Sequence, residues 1–372
     1  MRARSRLLTA LALAAVLLGG CTSATSERTS GDQPSSTPSP SAPGAATASP
    51  SATASPTDNP EPKPSNEAAD RPAPVRPVSV LGLAEQRHRG DRLRIGAVRE
   101  RTAEYTSYDV TYRSRSSTRR NEESYTISGV LNVPKGRGPF PAVVLAHGYI
   151  DPAVYVRGQG MTRERGYLAS RGYIALHVDY RNHAESDDDP RSQIHMRLGY
   201  SADVINAVKA LRASRDVPVD DDRIALFGRS MGGGVILKAL VAEPGLVQAA
   251  VPWASVSSLE AQNYDQFIRP DPEDSGLRAQ LARRYGTPEQ SPRFWRANSS
   301  RPYFDRITEP VLMIHGRFDD TCPPRWATAT QHALVRAGVD SRLVWYDDGH
   351  AFGPKFNAAM DRVVRFLDRR LG

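Results

Sequence analysis

The chain has 372 residues, a formal net charge of +8 and a mean hydropathy of −0.48. Only five of its 49 basic residues are lysine, and the arginines are scattered, with no basic stripe interleaved with aromatics; this argues against a nucleic-acid-binding protein. Two cysteines, Cys21 and Cys322, are too few for a disulfide framework or a thiolate metal centre.

Arg2, Arg4 and Arg6 precede the largely apolar run Leu7–Leu18, which leads through Gly19 and Gly20 into Cys21. This is a basic n-region, an h-region and a small-residue cleavage site. The run is too short to span a bilayer, which takes about 20 residues. Leu18-Gly19-Gly20-Cys21 also resembles the lipobox of bacterial lipoproteins, which implies that residues 1–21 are a lipoprotein-type signal peptide, with Cys21 lipidated and the chain anchored on the outer face of a bacterial cell membrane. An ordinary secretory signal with an incidental cysteine is the plainer alternative. From Thr22 to Pro77 there is no aromatic residue, no Leu and no Ile. Such a segment cannot bury enough apolar surface to offset its ordering entropy, so 22–77 is expected to be a disordered tether rich in Ser, Thr, Pro and Ala. Residues 78–372 suit a single α/β catalytic domain.

Within that domain, Tyr125–Val133 alternates as a strand and ends in a turn at Pro134–Gly138. Pro141–Ala146 and Tyr173–Val178 are apolar runs of the buried-strand kind, with a helix at Thr162–Arg171 between them, stopped by Gly172. Met196–Ala213 has helical periodicity. Asp220-Asp221-Asp222 reads as a solvated turn, with a calcium role the weaker reading, and the short apolar strand Arg223–Phe227 follows. Val235–Val241 is helical and Val247–Trp253 a strand. Further strands are expected at Glu309–Ile314 and Arg342–Trp345, then a last helix at Asn357–Leu371. The alternation implies an α/β fold with a mainly parallel central sheet and helices on both faces. Ser257–Ile307 breaks the rhythm. It carries seven aromatic residues and no clear strand, and reads as a small helical cap insertion at 257–307.

Gly228-Arg229-Ser230-Met231-Gly232 fits G-x-S-x-G, and it falls between a strand and a helix, where the pattern makes a nucleophile elbow. Gly228 and Gly232 let the backbone turn sharply there. The hydroxyl of Ser230 needs a base to take its proton, and the base needs an orienting carboxylate. In an α/β-hydrolase these follow in the order Ser, acid, His, on loops at the carboxyl ends of strands. Asp319 is the expected acid, with Asp320 its near competitor, and His350 is the expected base. His332 falls inside a helix and reads as structural. The oxyanion hole needs two backbone N–H groups. Met231, directly after the nucleophile, should give one, and Tyr149, in the loop after Ala146, the other. His147 is expected to order that loop. No metal or cofactor is called for.

Together these motifs resemble the catalytic domain of the prolyl oligopeptidase family, with dienelactone hydrolase-like enzymes close by. The likeness rests on His147-Gly148, on Asp179-Tyr180-Arg181-Asn182-His183-Ala184-Glu185-Ser186, on Gly228–Gly233, on His315–Pro323 and on Gly349-His350, and spans about Tyr125–Gly372. His315–Pro323 is similar to the family's H-G-x-x-D-x-x-V-P, which implies Asp319 rather than Asp320 as the acid. Two positions depart from the common form: Asn182 stands where glycine is usual, and Cys322 where valine is usual. About 45 residues separate the tether from the strand at Tyr125, too few for the β-propeller many members carry. The resemblance implies an α/β-hydrolase fold and a serine hydrolase that cleaves an ester or a peptide bond through an acyl-enzyme. Its partner would be a small-molecule ester or a short peptide. The alternatives are an envelope carboxylesterase or acyltransferase and, remotely, a non-catalytic binding protein on a hydrolase fold.

Overall fold

The computed structural model describes residues 78–119 and 121–372. The signal peptide, Cys21 and the 22–77 segment lie outside the described residues. A short helix, α1 (Val80–Ala84), precedes two long strands, β1 (Arg87–Arg101) and β2 (Tyr105–Ser117). Then come β3 (Glu122–Pro134), β4 (Phe140–Ala146), α2 (Thr162–Ala169), β5 (Ile174–Val178), α3 (Leu198–Arg212), β6 (Val219–Arg229), α4 (Met231–Ala242) and β7 (Ala249–Trp253). The stretch after β7 folds into helical pieces only: α5 (Glu260–Asn263), a π-helical turn at Tyr264–Ile268, α6 (Ser275–Tyr285), α7 (Pro292–Ala297) and a 3-10 turn at Arg301–Arg306. The chain then returns to β8 (Val311–Gly316), α8 (Pro324–Arg336), β9 (Ser341–Tyr346) and α9 (Phe356–Leu371).

These strands make one sheet in the order β1-β2-β3-β5-β4-β6-β7-β8-β9. The pairs from β1 to β5 are antiparallel, and every pair from β5 across to β9 is parallel. Successive strand residues point to opposite faces, and both faces are covered. Ala142, Val144, Ile224 and Leu226 enter one core, shared with α3 and α4. Val143, Leu145, Ala225 and Phe227 enter the other, shared with α9. Because β4, β6, β8 and β9 run parallel, their carboxyl ends share one edge of the sheet, and the loops that follow them converge there.

Two sequence-based expectations need correction. The strand at Tyr125 is not the first of the sheet, since β1 and β2 precede it and extend its antiparallel side. Their inward positions are only partly apolar. On β2, Ser114 and Ser116 are buried alongside Val110 and Tyr112. Ser114 is matched by polar groups of α3: its Oγ donates to Asp203 Oδ1 at 2.7 Å and accepts from Asn206 Nδ2 at 3.0 Å. The three aspartates, expected as a turn ahead of a strand, instead form a bulge inside β6. Phe140 pairs with Val219 and Ala142 with Ile224, so Asp220–Arg223 bow out of the ladder. Arg223 Nε donates to Asp220 Oδ2 at 2.7 Å across the bulge. Among the described residues, no helix is long and apolar enough to cross a membrane.

Candidate active site

Ser230 occupies the junction of β6 and α4 with φ +56° and ψ −120°, a backbone conformation that a non-glycine residue keeps only where its surroundings impose it. Three main-chain bonds do so. Ser230 N–H donates to Trp253 O at 2.9 Å, and Ser230 O accepts from Gly233 N at 3.0 Å and Val256 N at 3.2 Å. The flanking glycines are required by close approach. A Cβ on Gly228 would lie 2.2 Å from Gly232 O, and one on Gly232 would lie 1.9 Å from Ala146 O.

Asp319 and His350 come from the loops after β8 and β9. His350 Nε2 is 3.0 Å from Ser230 Oγ, and His350 Nδ1 is 2.9 Å from Asp319 Oδ2 and 3.1 Å from Oδ1. The Asp319 side chain is fully buried. Its Oδ1 also accepts the N–H groups of Thr321 at 3.1 Å and Cys322 at 2.7 Å. Asp320 points elsewhere: its exposed carboxylate accepts from Thr321 Oγ1 at 3.2 Å. His315 donates through Nε2 to Cys322 O at 2.8 Å, bracing the same turn, and burial lowers its pKa. Cys322 is the one free cysteine among the described residues. Burial and the Asp319 charge push its thiol pKa up, and it lies against the Ser230 hydroxyl, which opposes the rise.

The His350 loop is held by residues that sequence reasoning missed. Asp348 accepts from the backbone N–H groups of Gly349 at 2.9 Å, Gly353 at 3.1 Å and Lys355 at 2.8 Å. Partial burial would raise its pKa, but these three donors hold it below the usual carboxylate range. Arg163, on α2, donates to Phe352 O at 3.0 Å and to Ala351 O at 2.8 Å, while Arg229 also reaches Ala351 O at 3.3 Å. No local pattern marks either arginine, because their partners are carbonyls more than a hundred residues away.

The loop after β4 rests on a buried layer of rings. His147 bonds Asp179 O through Nε2 at 3.2 Å, and Tyr180 OH donates to His147 O at 3.1 Å. His183 Nε2 lies 3.3 Å from Ile150 O. Asp179 accepts from Ser128 Oγ at 2.6 Å, Tyr155 OH at 2.7 Å and Gly158 N at 2.8 Å. Asn182 has φ +68°, which explains an asparagine where the resemblance leads one to expect glycine: it is among the non-glycine residues that tolerate this region best. Arg181 lays a two-pronged ion pair on Asp203, with Nε at 3.0 Å and Nη2 at 2.9 Å, and so ties this motif to α3.

A cavity of about 470 Å³ opens beside Ser230, and Met231, Tyr149 and His350 are among the residues that line it. Tyr149 is more than half exposed, and Arg197 stacks over its ring at 4.9 Å. Three of the seven aromatics in 257–307 line this cavity, namely Tyr264, Phe267 and Trp295. The rest of the seven pack elsewhere, as when Phe294 stacks on Tyr285 at 4.1 Å.

The profile of the prolyl oligopeptidase family matches residues 159–372. The chain belongs to this family. It is 31% identical over 188 residues to dipeptidyl peptidase 4 from Sus scrofa, covering 49% of this chain and 22% of that protein. It is also 31% identical over 141 residues to esterase EstD from Thermotoga maritima, covering 35% of this chain and 32% of that protein. The alignments thus span between a fifth and a third of the length of these curated relatives. Acetyl xylan esterase 1 from Thermoanaerobacterium sp. superposes with a TM-score of 0.58 at 19% identity, over 81% of this chain and 96% of that one, which shows a shared α/β-hydrolase fold. Family and fold together make this chain a prolyl oligopeptidase family member with an α/β-hydrolase fold.

Proposed function

We propose that this family member is a serine hydrolase that cleaves an ester or amide bond through an acyl-enzyme formed on Ser230. The observation that carries the reading is that one imidazole, His350, lies within hydrogen-bond distance of both the Ser230 hydroxyl and a buried carboxylate. In this reading Ser230 Oγ attacks the carbonyl carbon while His350 Nε2 takes its proton. Asp319 keeps Nδ1 protonated and steadies the imidazolium that forms. The oxyanion is met by the backbone N–H groups of Met231 and Tyr149. The tetrahedral intermediate then expels an alcohol or an amine, to which His350 returns the proton. Water, activated by the same imidazole, releases the acid and restores Ser230.

The first test is labelling with a fluorophosphonate probe. Wild type should be labelled on Ser230 and Ser230→Ala should not; unlabelled wild type, or a labelled alanine variant, defeats the mechanism. Hydrolysis of p-nitrophenyl esters beside aminoacyl anilides then separates esterase from peptidase. Fast short-ester turnover with no anilide cleavage assigns the esterase.

A further inference from the structure

We infer that Glu164 is a positioning residue for the His350 imidazole, acting through Arg163 and Arg229 to hold the histidine loop against the elbow. This rests on the serine-hydrolase reading above. Ala351, the residue after His350, offers one carbonyl to two guanidinium groups: Arg163 Nη2 donates to it at 2.8 Å and Arg229 Nη2 at 3.3 Å. Arg163 Nη1 adds a bond to Phe352 O at 3.0 Å. Arg229 directly precedes Ser230, whereas Arg163 belongs to α2. The nucleophile's turn, α2 and the histidine loop are therefore joined at a single oxygen.

Two like charges drawn to one acceptor repel each other. Glu164, also on α2, offsets them: its Oε1 lies 3.5 Å from Arg229 Nη1 and 3.9 Å from Arg163 Nη2. Among the described residues, neither arginine pairs with another carboxylate. The Glu164 side chain is only 2% exposed. Burial raises its pKa, and the charges of Arg229 and Arg163 oppose the rise. The helix macrodipole favours a carboxylate in the first turn, where Glu164 stands. An exposed carboxylate would serve that purpose without the cost of burial. What the buried one adds is the charge that lets both guanidinium groups stay on Ala351 O.

Without that charge the two arginines must part or remain uncompensated. If they part, the loop loses a restraint on the 3.0 Å approach of His350 Nε2 to Ser230 Oγ. A misplacement of about 1 Å in a reacting group can cost roughly 100-fold in rate. If they remain, their positive charge beside the loop disfavours the imidazolium and lowers the His350 pKa.

The experiment measures hydrolysis of the best ester or anilide of the panel above across pH, in wild type and in Glu164→Gln, with melting temperatures recorded. In Glu164→Gln, kcat should fall at least about 10-fold with KM little changed. The acid limb of kcat/KM, which reports the base of the free enzyme, should move to lower pH. Asp319, His315 and Asp348, titratable neighbours of the imidazole and its loop, are the same in both proteins. Glu164→Asp keeps the charge and should keep the limb in its wild-type position. The double variant Glu164→Gln with Arg229→Gln removes one charge of each sign, so its limb should return toward wild type while kcat stays low. A Glu164→Gln protein with the kcat and acid limb of wild type overturns the inference. So does one that melts earlier yet keeps both, since the carboxylate would then only stabilise α2. If Glu164→Gln does not fold, the double variant decides, and a wild-type kcat there overturns the inference. Fluorophosphonate labelling separates the two levels: a wild type unlabelled on Ser230 defeats the hydrolase reading, whereas a labelled wild type with unchanged Glu164→Gln kinetics defeats this inference alone.

Discussion

Asp319 has both oxygens committed to donors. Oδ1 takes the N–H groups of Thr321 and Cys322, and both oxygens face His350 Nδ1. An amide in its place would have to turn its NH2 toward one of these donors, or leave the imidazole without the acceptor that fixes its tautomer. Asp319→Asn should therefore fold normally and lose about 10⁴-fold in kcat. Steady-state ester hydrolysis, with the melting temperature measured alongside, checks this. An unchanged kcat would move the acid elsewhere. Cys322, the departure from the family's usual valine, fits the same turn as a small buried group whose backbone serves Asp319 and His315.

At the scale of elements, the elbow is a three-way crossing of β4, β6 and α4, and the glycines are what let the main chains meet. Gly232→Ala would drive a methyl group into the carbonyls of Ala146, at 1.9 Å, and His147, at 2.7 Å. Because those atoms are backbone, β4 itself must shift. A loss of about 1–3 kcal/mol in urea unfolding is expected, together with a fall of at least about tenfold in the rate of fluorophosphonate labelling, the latter equivalent to 1.4 kcal/mol in the barrier. A wild-type labelling rate would show that the crossing tolerates a Cβ.

The same elements explain what was legible in the sequence. The parallel strands are short, apolar and bounded by turn residues, and the residues proposed to act sit immediately past their ends, so Ser230, Asp319 and His350 could be picked out in order. β1 and β2 were invisible for a physical reason. Their buried positions include Ser114, satisfied by α3, and Ser116, bonded to His88 of β1, and the strands are laced with arginine, so no hydrophobic alternation is left to read. Arg163, Arg229 and Asp348 act through backbone carbonyls and N–H groups, contacts that any residue could supply and that therefore leave no motif.

At the scale of the whole molecule, the fold buries five histidines whose pKa is lowered. For His88, His147, His177, His183 and His315, burial is the leading cause. His147 is pushed down to about 3. In the unfolded chain a histidine titrates near 6.5. Below that pH the unfolded state binds more protons than the folded one, so the stability from keeping these rings neutral is complete above about pH 6.5 and is lost as pH falls toward their folded values. Glu164 and Asp179, raised by burial, act in the opposite sense. Comparison with a His147→Gln variant cancels their contribution. Between pH 7.5 and 5 the variant should lose about 2 kcal/mol less stability than wild type. Urea midpoints across that range measure it, and parallel slopes would mean the folded chain accommodates the protonated ring.

Arg163 ties α2, which follows β4, to the loop that carries His350. The Ser230 backbone is in turn pinned by β7 and the residues after it. Under the proposed chemistry, the reacting groups are thus assembled from segments that leave the ribosome far apart in time. A nascent chain that has finished its elbow still has no base, and the loop that carries His350 is fully braced only once α2 is docked against it. Hydrolysis would begin only when the last loop closes, so turnover by this protein would report that its sheet has been completed.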